Sequence, residues 1–316
     1  MLWCVGLVCT LCSPAVRGDS YPVKPLHFIV PFAAGSATDQ LARALGQEIS
    51  KETQQPVIVE NKPGASGFLA AQAAAHAAAD GYTVLISTNT TQAANPHLFK
   101  KLPYDPVKDF APVTALGKGG QILIVHPNVP ANSLAELIAL AKKQPGKLTF
   151  GSGSSSSRVA AELFQQMADV KLVHVPYKSN PLAINDLLGG QIDMMITDTA
   201  TGLPQVKAGK VKALGVTAKT RTALAPGVPT IDEAGVKGYE MGYWFAAYLP
   251  AHTPAPIVKR LNEIVAKAAN GEAMRNFYKS SGTERFVTSP EELAKFQAAE
   301  TEKWGRIIRA AGIEPE

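Results

Sequence analysis

Short apolar runs alternate with helical stretches twice along this chain. The continuous apolar run 26–32 is typical of a buried parallel strand. Leu41, Leu45 and Ile49 then recur at four-residue spacing, which predicts one buried face of a helix that a preceding Ser or Thr can cap. Strands at 57–59 and 82–87 and a helix at 65–79 complete the elements predicted for this half.

The alternation resumes after a Pro-rich connection at 102–112. Strands are predicted at 122–125, 148–150, 172–175 and 192–196, with helices at 133–143, 154–167 and 181–188 between them, and two later helices at 256–270 and 290–311. This alternation favours right-handed βαβ units and parallel sheets, so we predict an α/β fold with two lobes. Lobe 1 would comprise 19–115 and 222–316 and lobe 2 would comprise 116–221, with a hinge between them.

The first eighteen residues differ from the rest of the chain. Residues 1–12 form an apolar run that is shorter than the ~20 residues a membrane span needs, and a small-residue site follows at 15–18. We therefore predict a signal peptide at 1–18 and a periplasmic mature protein, although no Lys or Arg precedes the run. A buried N-terminal strand is the alternative interpretation. All three cysteines lie here, so the mature chain has no disulfide framework, thiolate metal site or cysteine nucleophile.

Composition and charge argue against several classes of function. The 316 residues carry a net charge of +5 with Lys and Arg spread along the chain and no basic stripe, so no nucleic-acid surface is indicated. The histidines show no H-x-x-x-H or H-x-H pair, which argues against a metal site. Neither a G-x-S-x-G elbow nor a phosphate-binding P-loop occurs, so we predict a protein that is not an enzyme and needs no cofactor. A periplasmic hydrolase using a serine within 152–157 is the rival hypothesis.

Four loops that follow predicted strands share a composition. Residues 33–39, 63–67, 87–91 and 151–157 are rich in small and hydroxyl side chains and contain no Lys, Arg or His. In open α/β sheets, ligands bind beyond the carboxyl ends of the strands, where helix starts present free backbone N–H groups that small residues let a ligand approach. These loops predict a site for a small anion between the lobes. Asp39 either starts its helix or orders the first of these loops.

Four longer motifs resemble one known family. They are VPFAAGSATDQLAR at 30–43, ENKPGASG at 60–67, HVPYKSNPLAINDLLGGQIDMM at 174–195 and GVPTIDEAG at 227–235. These motifs are similar to those of the substrate-binding proteins of tripartite tricarboxylate transporters, also called the Bug family, and the resemblance covers essentially the whole mature chain. It implies a two-lobed periplasmic-binding-protein fold of the Venus flytrap type (type II-like), in which each lobe is a mainly parallel sheet flanked by helices.

The resemblance also implies what the protein does. A receptor of this family, without cofactor, captures a small carboxylate, or a related aromatic or amino-acid ligand, and delivers it to the permease subunits in the membrane. We expect it to act as a monomer. The alternative is that the ligand-bound receptor serves a membrane sensor kinase instead of a permease.

Transferred position by position, the resemblance places the ligand between loops of the two lobes. The residues expected to contact it are Phe32, Ala34, Gly35, Ser36, Thr38, Asp39, Ser66, Asn89, Thr91, Ser152, Ser154, Ser155, Ser156, Tyr177, Thr197 and Asp198. Two departures from the family pattern are Ser36 in place of a Gly and Lys178-Ser179-Asn180 in place of a basic-Gly-Gly stretch. In a third, Thr197 replaces an acidic residue and the carboxylate moves to Asp198. An inward-facing Asp198 would favour an amine-bearing ligand or repel a second carboxylate, whereas an outward-facing one would have no effect.

Overall fold

The computed structural model describes residues 21–316, and the signal peptide predicted at 1–18 lies outside them. The strands are β1 (Leu26–Val30), β2 (Val57–Asn61), β3 (Thr83–Thr88), β4 (Phe110–Val125), β5 (Thr149–Ser152), β6 (Val173–Pro176), β7 (Met194–Asp198), β8 (Lys212–Val216), β9 (Gly242–Pro250) and β10 (Glu284–Arg285). The helices are α1 (Ala37–Thr53), α2 (Phe68–Ala75), α3 (Asn95–Leu98), α4 (Leu134–Lys143), α5 (Ser155–Ala168), α6 (Asn180–Leu188), α7 (Thr199–Lys207), α8 (Ala255–Ala268), α9 (Glu272–Ser281) and α10 (Pro290–Ala310). Within residues 21–316, no helix is both long enough and apolar enough to cross a membrane.

Two sheets form the two lobes and share one long strand. In the first sheet the order is β2-β1-β3-β9-β4, with β1 parallel to β2 and β3, and β9 antiparallel to β3 and β4. In the second, β5 is parallel to β6 and β7, and β4 is antiparallel to β7 and β8. Strand β4 pairs with β9 up to Gly120 and with β7 from Gln121 onward, so it passes from one lobe into the other. The two-lobed α/β fold is confirmed, with antiparallel strands added to each parallel set.

Helix α1 shows how the local sequence builds these elements. Its N-cap is Ser36, whose side chain accepts a hydrogen bond from the backbone N–H of Asp39. Leu41, Leu45 and Ile49 are completely buried in the core of the first lobe. Burial of each side chain of this size contributes roughly 1.5–3 kcal/mol, which is what holds an amphipathic helix against its sheet. The predicted helix and its buried face are confirmed.

The structure adds elements that the apolar periodicity does not predict. Strand β4 begins inside the segment predicted as a Pro-rich connection, and β9 lies in a region predicted to be mainly helical. Strands β8 and β10 and helices α7 and α9 are also not predicted. Helix α7 contains Gly202 and Pro204, two residue types with low helix propensity, so its sequence does not indicate a helix. The helix predicted at 65–79 starts later than expected, because Ser66 and Gly67 adopt the left-handed conformation before α2, and it also ends earlier, at Ala75.

The division of the chain into lobes, with lobe 2 at 116–221, remains a prediction. Between β8 and β9 the chain stays against the second sheet. The N–H of Ile231 donates to the carbonyl of Val216 at 2.9 Å, and the Tyr239 hydroxyl donates to a backbone carbonyl of α5 at 2.7 Å. These contacts favour a second crossing between the lobes near the start of β9 over one near residue 221.

Candidate functional site

A cavity lies between the two lobes, beside the carboxyl ends of β1, β3, β5 and β7. Its volume is about 40 Å³. Its lining residues are Phe32, Ser36, Ala37, Thr38, Thr88, Asn89 and Thr90 of the first lobe, Gln121 of β4, Gly153, Ser154, Ser156, Asn180 and Asp198 of the second lobe, and Tyr243 and Phe245 of β9. Ligands of open α/β sheets bind at this position, beyond the carboxyl ends of the strands. We call this space the interlobe cavity.

The residues predicted to contact a ligand divide into three groups. Those that line the interlobe cavity are Phe32, Ser36, Thr38, Asn89, Ser154, Ser156 and Asp198. Those that line a second cavity beside it are Ser66, Ser152, Ser154 again, Ser155 and Tyr177. Those outside both linings are Ala34, Gly35, Asp39, Thr91 and Thr197. The predicted loops therefore all lie near the interlobe region, but their side chains point in different directions.

Asp39 lies outside the cavity lining and holds the loop between β1 and α1 in place. Its carboxylate accepts hydrogen bonds from the Gly35 N–H at 2.9 Å, from Arg43 Nε at 3.0 Å and from Asn61 Nδ2 at 2.9 Å. Burial alone would raise the pKa of Asp39, but these hydrogen bonds outweigh it and hold that pKa below its usual value. Gly35 has a φ of 81°, a left-handed conformation that favours Gly at this turn. Asp39 thus combines both predicted roles, since it lies in the first turn of α1 and also fixes the loop before that helix.

Thr91 and Thr197 face the protein interior. The Thr91 hydroxyl bonds to the hydroxyl of Ser87, and the Thr197 hydroxyl lies 2.9 Å from the hydroxyl of Thr201. Both residues are completely buried. Successive side chains on a strand point to opposite faces, so at the end of β7 it is Asp198 that reaches the cavity and not its neighbour.

Three helices start at the interlobe cavity. Ser36, Ser154 and Asp198 are the N-caps of α1, α5 and α7, and each side chain accepts a hydrogen bond from the backbone N–H three residues on. The remaining N–H groups of a first helical turn have no partner within the helix, and the aligned peptide dipoles give that end a partial positive charge. The helix starts capped by the neutral Ser36 and Ser154 therefore present free N–H groups and partial positive charge to the cavity, whose described lining contains no Lys, Arg or His.

Three buried polar atoms of the cavity lining have no hydrogen-bond partner within the described part of the chain. They are Nδ2 of Asn89, Oε1 of Gln121 and Oγ of Ser156, on residues no more than 5% exposed. An unpaired buried polar group costs about 1–3 kcal/mol. Asn89 is held in place because its Oδ1 accepts a hydrogen bond from the Trp244 N–H at 3.2 Å. The lining thus offers donors and acceptors that a polar ligand would satisfy.

Asp198 lies in the cavity wall with both carboxylate oxygens engaged. Oδ1 accepts hydrogen bonds from the N–H and the hydroxyl of Thr201, both at 2.9 Å, and Oδ2 accepts one from Asn180 Nδ2 at 3.0 Å. The Oδ1 of Asn180 in turn accepts a hydrogen bond from the Gly153 N–H at 3.0 Å. Asn180 therefore ties the loop after β5 to the start of α7. The sequence shows Asn180 only as a departure from the family pattern, because its role depends on this contact.

Aromatic rings cover the cavity on the side of β9. Tyr243 and Phe245 are two residues apart on this strand, so they point to the same face, and they line the cavity together with Phe32. Burial raises the pKa of Tyr243 to about 12, which keeps its hydroxyl neutral. Neither β9 ring is among the predicted site residues, since β9 is not a predicted strand. Their spacing of two is the pattern that could have indicated them.

The second cavity contains a serine–histidine pair. Ser152 Oγ lies 2.7 Å from His174 Nε2, and the His174 ring stacks on Phe150. Burial, with a smaller effect of the Arg158 charge, lowers the pKa of His174 to about 4. A general base works best with a pKa near the working pH, so His174 is poorly suited to activate Ser152. Within residues 21–316, no group of three or more His, Cys, Asp and Glu side chains is placed to bind a metal ion.

Two lobes joined by a shared strand, with a cavity between them at which helices of both lobes begin, are the architecture of a two-lobed solute-binding protein. Solved structures have the same fold. Rpa4515 of R. palustris, solved with adipate, has a TM-score of 0.91 and 33% identity, covering 94% of this chain and 100% of that one. The periplasmic binding protein BugD has a TM-score of 0.89 and 32% identity over 94% and 100% of the two chains. MatC of Rhodopseudomonas palustris, with bound malate, has a TM-score of 0.86 and 32% identity over 91% and 100%.

Residues 41–313 match the TctC family, described as the tripartite tricarboxylate transporter family receptor. This chain belongs to that family. The resemblance seen in the sequence motifs is therefore confirmed, and one neighbour, BugD, is a periplasmic binding protein.

Proposed function

We propose that this protein is an extracytoplasmic receptor that captures a small carboxylate between its lobes and delivers it to the permease of a tripartite tricarboxylate-type transporter. The observation that carries the proposal is the interlobe cavity, in which helix starts from both lobes meet buried polar atoms without partners. A signal peptide at 1–18 would direct the chain to the periplasm. The adipate of Rpa4515 and the malate of MatC support a carboxylate ligand.

The ligand carboxylate would lie between the starts of α1 and α5. Because α1 belongs to one lobe and α5 to the other, a single anion between them would hold the lobes together. Nδ2 of Asn89 and Oγ of Ser156 would donate further hydrogen bonds to it. Phe32 and Tyr243 would cover the apolar part of the ligand.

Contacts between the lobes would break when the receptor opens. Ser155 Oγ donates to Asn95 Oδ1 at 2.8 Å, and Arg158 Nη1 lies 2.5 Å from Glu316 Oε1. Bending of β4 and β9, the strands that pair across the crossing, would separate the lobes and release the ligand. Binding would then favour the closed form, because only that form lets both helix starts contact one ligand.

Isothermal titration of the purified protein tests this function. The protein is unfolded and refolded to remove bound ligand, and then titrated with mono-, di- and tricarboxylates and with amino acids. We expect stoichiometric binding of at least one carboxylate, with the ligand recovered unchanged. Chemical conversion of the ligand, or no binding of any carboxylate, would refute the proposal.

Ser156→Ala tests whether the cavity is the binding site. Because the Ser156 hydroxyl has no partner in the described structure, we expect unchanged or higher stability of the ligand-free protein, and about fivefold weaker binding. Ser133→Ala is the control. Ser133 is the N-cap of α4, and its Oγ accepts a hydrogen bond from the Glu136 N–H at 3.2 Å, so the substitution removes a helix cap that lies outside the cavity lining. This control should lose about 1 kcal/mol of stability with unchanged affinity. Unchanged affinity of the Ser156 variant would remove this hydroxyl from the site.

A further inference from the structure

We propose that Asp198 restricts the site to ligands with a single carboxylate, whose other end is uncharged or cationic. This inference rests on the carboxylate receptor proposed above and narrows its ligand class. Among the described lining residues of the interlobe cavity, Asp198 is the one acidic side chain, and none is Lys, Arg or His. A second carboxylate in the ligand would therefore meet a negative charge with no cationic side chain in the lining to balance it.

The three helix starts at the cavity are not equivalent. Helices α1 and α5 are capped by the neutral hydroxyls of Ser36 and Ser154. Helix α7 is capped by the carboxylate of Asp198, so its positive end already holds an anion that belongs to the protein. The starts of α1 and α5 thus remain for one ligand carboxylate, and the start of α7 does not attract a second.

Asp198 is also held in place. The Thr201 N–H, the Thr201 hydroxyl and Asn180 Nδ2 all donate to it, and the residue is 9% exposed. Turning the carboxylate away from the cavity would break these three hydrogen bonds and leave buried donors unpaired. Little water reaches the carboxylate, so its repulsion of a second anion is weakly screened. The Asp198 carboxylate therefore keeps its place in the cavity wall when a ligand enters.

Ligand pairs of equal length that differ at one end test this inference. Succinate with succinamate, glutarate with glutaramate and adipate with adipamate each compare a dicarboxylate with its monoamide. Titration at neutral pH should show at least one monoamide binding about tenfold or more tightly than its dicarboxylate. This comparison needs only the wild-type protein, and a variant then tests whether Asp198 is the cause of the preference.

Asp198→Asn removes the charge and keeps a side-chain oxygen that can cap α7. In this variant the preference for the monoamide should fall to within about threefold, because dicarboxylate affinity rises. Asp169→Asn is the matched control. Asp169 is exposed, lies outside the cavity lining and has a φ of 51°, which Asn tolerates well, so it makes the same change of charge without touching the site.

Three results would overturn the inference. Dicarboxylates that bind the wild-type protein as tightly as their monoamides would show that Asp198 does not repel them. An unchanged preference in Asp198→Asn, or the same loss of preference in Asp169→Asn, would show that another feature sets it. Because the proposed function requires only that some carboxylate binds, tight binding of dicarboxylates would refute this inference and leave that function standing.

Discussion

Replacing Gly153 by Ala tests whether the contact between two loops of the second lobe organises the cavity. Gly153 stands where β5 passes into α5, and a Cβ at this position would overlap the backbone of Ser179 and Asn180. The loops after β5 and β6 would have to separate. The hydrogen bond from the Gly153 N–H to Asn180 Oδ1 would then be lost, together with the support that Asn180 gives Asp198.

The size of the effect follows from these contacts. Overpacking a tight site costs about 1–3 kcal/mol, and the lost hydrogen bond adds about 0.5–1.5 kcal/mol. We therefore expect Gly153→Ala to lower the free energy of unfolding by about 3 kcal/mol. Ligand binding should weaken as well, because Ser154 and Ser156 would move with the displaced loop.

Urea unfolding followed by tryptophan fluorescence measures this change, since Trp244 and Trp304 are both buried. Gly227→Ala is the control, because nothing lies within 4 Å of a Cβ there and its φ is not left-handed. The control should stay within about 0.5 kcal/mol of the wild-type protein. If Gly153→Ala unfolds at the same urea concentration as the control, the close approach of the two loops is refuted.

Two other changes test the second cavity and the contact between the lobes. Because burial lowers the pKa of His174 to about 4, the unfolded chain takes up a proton there below about pH 6.5 and the folded protein does not, so stability should fall as the pH drops from about 6.5 to 4. In urea unfolding, His174→Asn should lose about 1–2 kcal/mol less stability than the wild-type protein over this pH range; the partial exposure of the ring limits the effect to this size. If the stability of the two proteins falls in parallel with pH, His174 is not the cause of the loss. Glu316→Gln should change the free energy of unfolding by less than about 1 kcal/mol and only at low salt, because its pair with Arg158 is partly exposed; a larger effect that persists at high salt would contradict this.

The helices with strong periodicity and the positions of the loops at the interlobe cavity could be predicted from the sequence alone. Leu41, Leu45 and Ile49 lie on one face of α1 wherever that helix packs in the fold. Ser36 caps the helix by accepting a hydrogen bond from the backbone N–H three residues on. The loops after β1, β3 and β5 could be selected because the carboxyl ends of parallel strands converge whatever the details of packing. These features depend on neighbours within about one helical turn or on the regular geometry of a sheet.

Which side chains of those loops face the cavity depends on how the loops pack against each other. Ser152 and Ser155 belong to the same predicted loop, 151–157, as Ser156, yet they line the second cavity. Asn180 and Tyr243 join the site from segments far along the chain, through the loop after β6 and through β9. Their placement depends on how β4 and β9 cross between the lobes and on hydrogen bonds between loops. Such contacts join residues that are distant in the chain, so a local pattern can indicate a strand such as β9 but not the loops that its side chains meet.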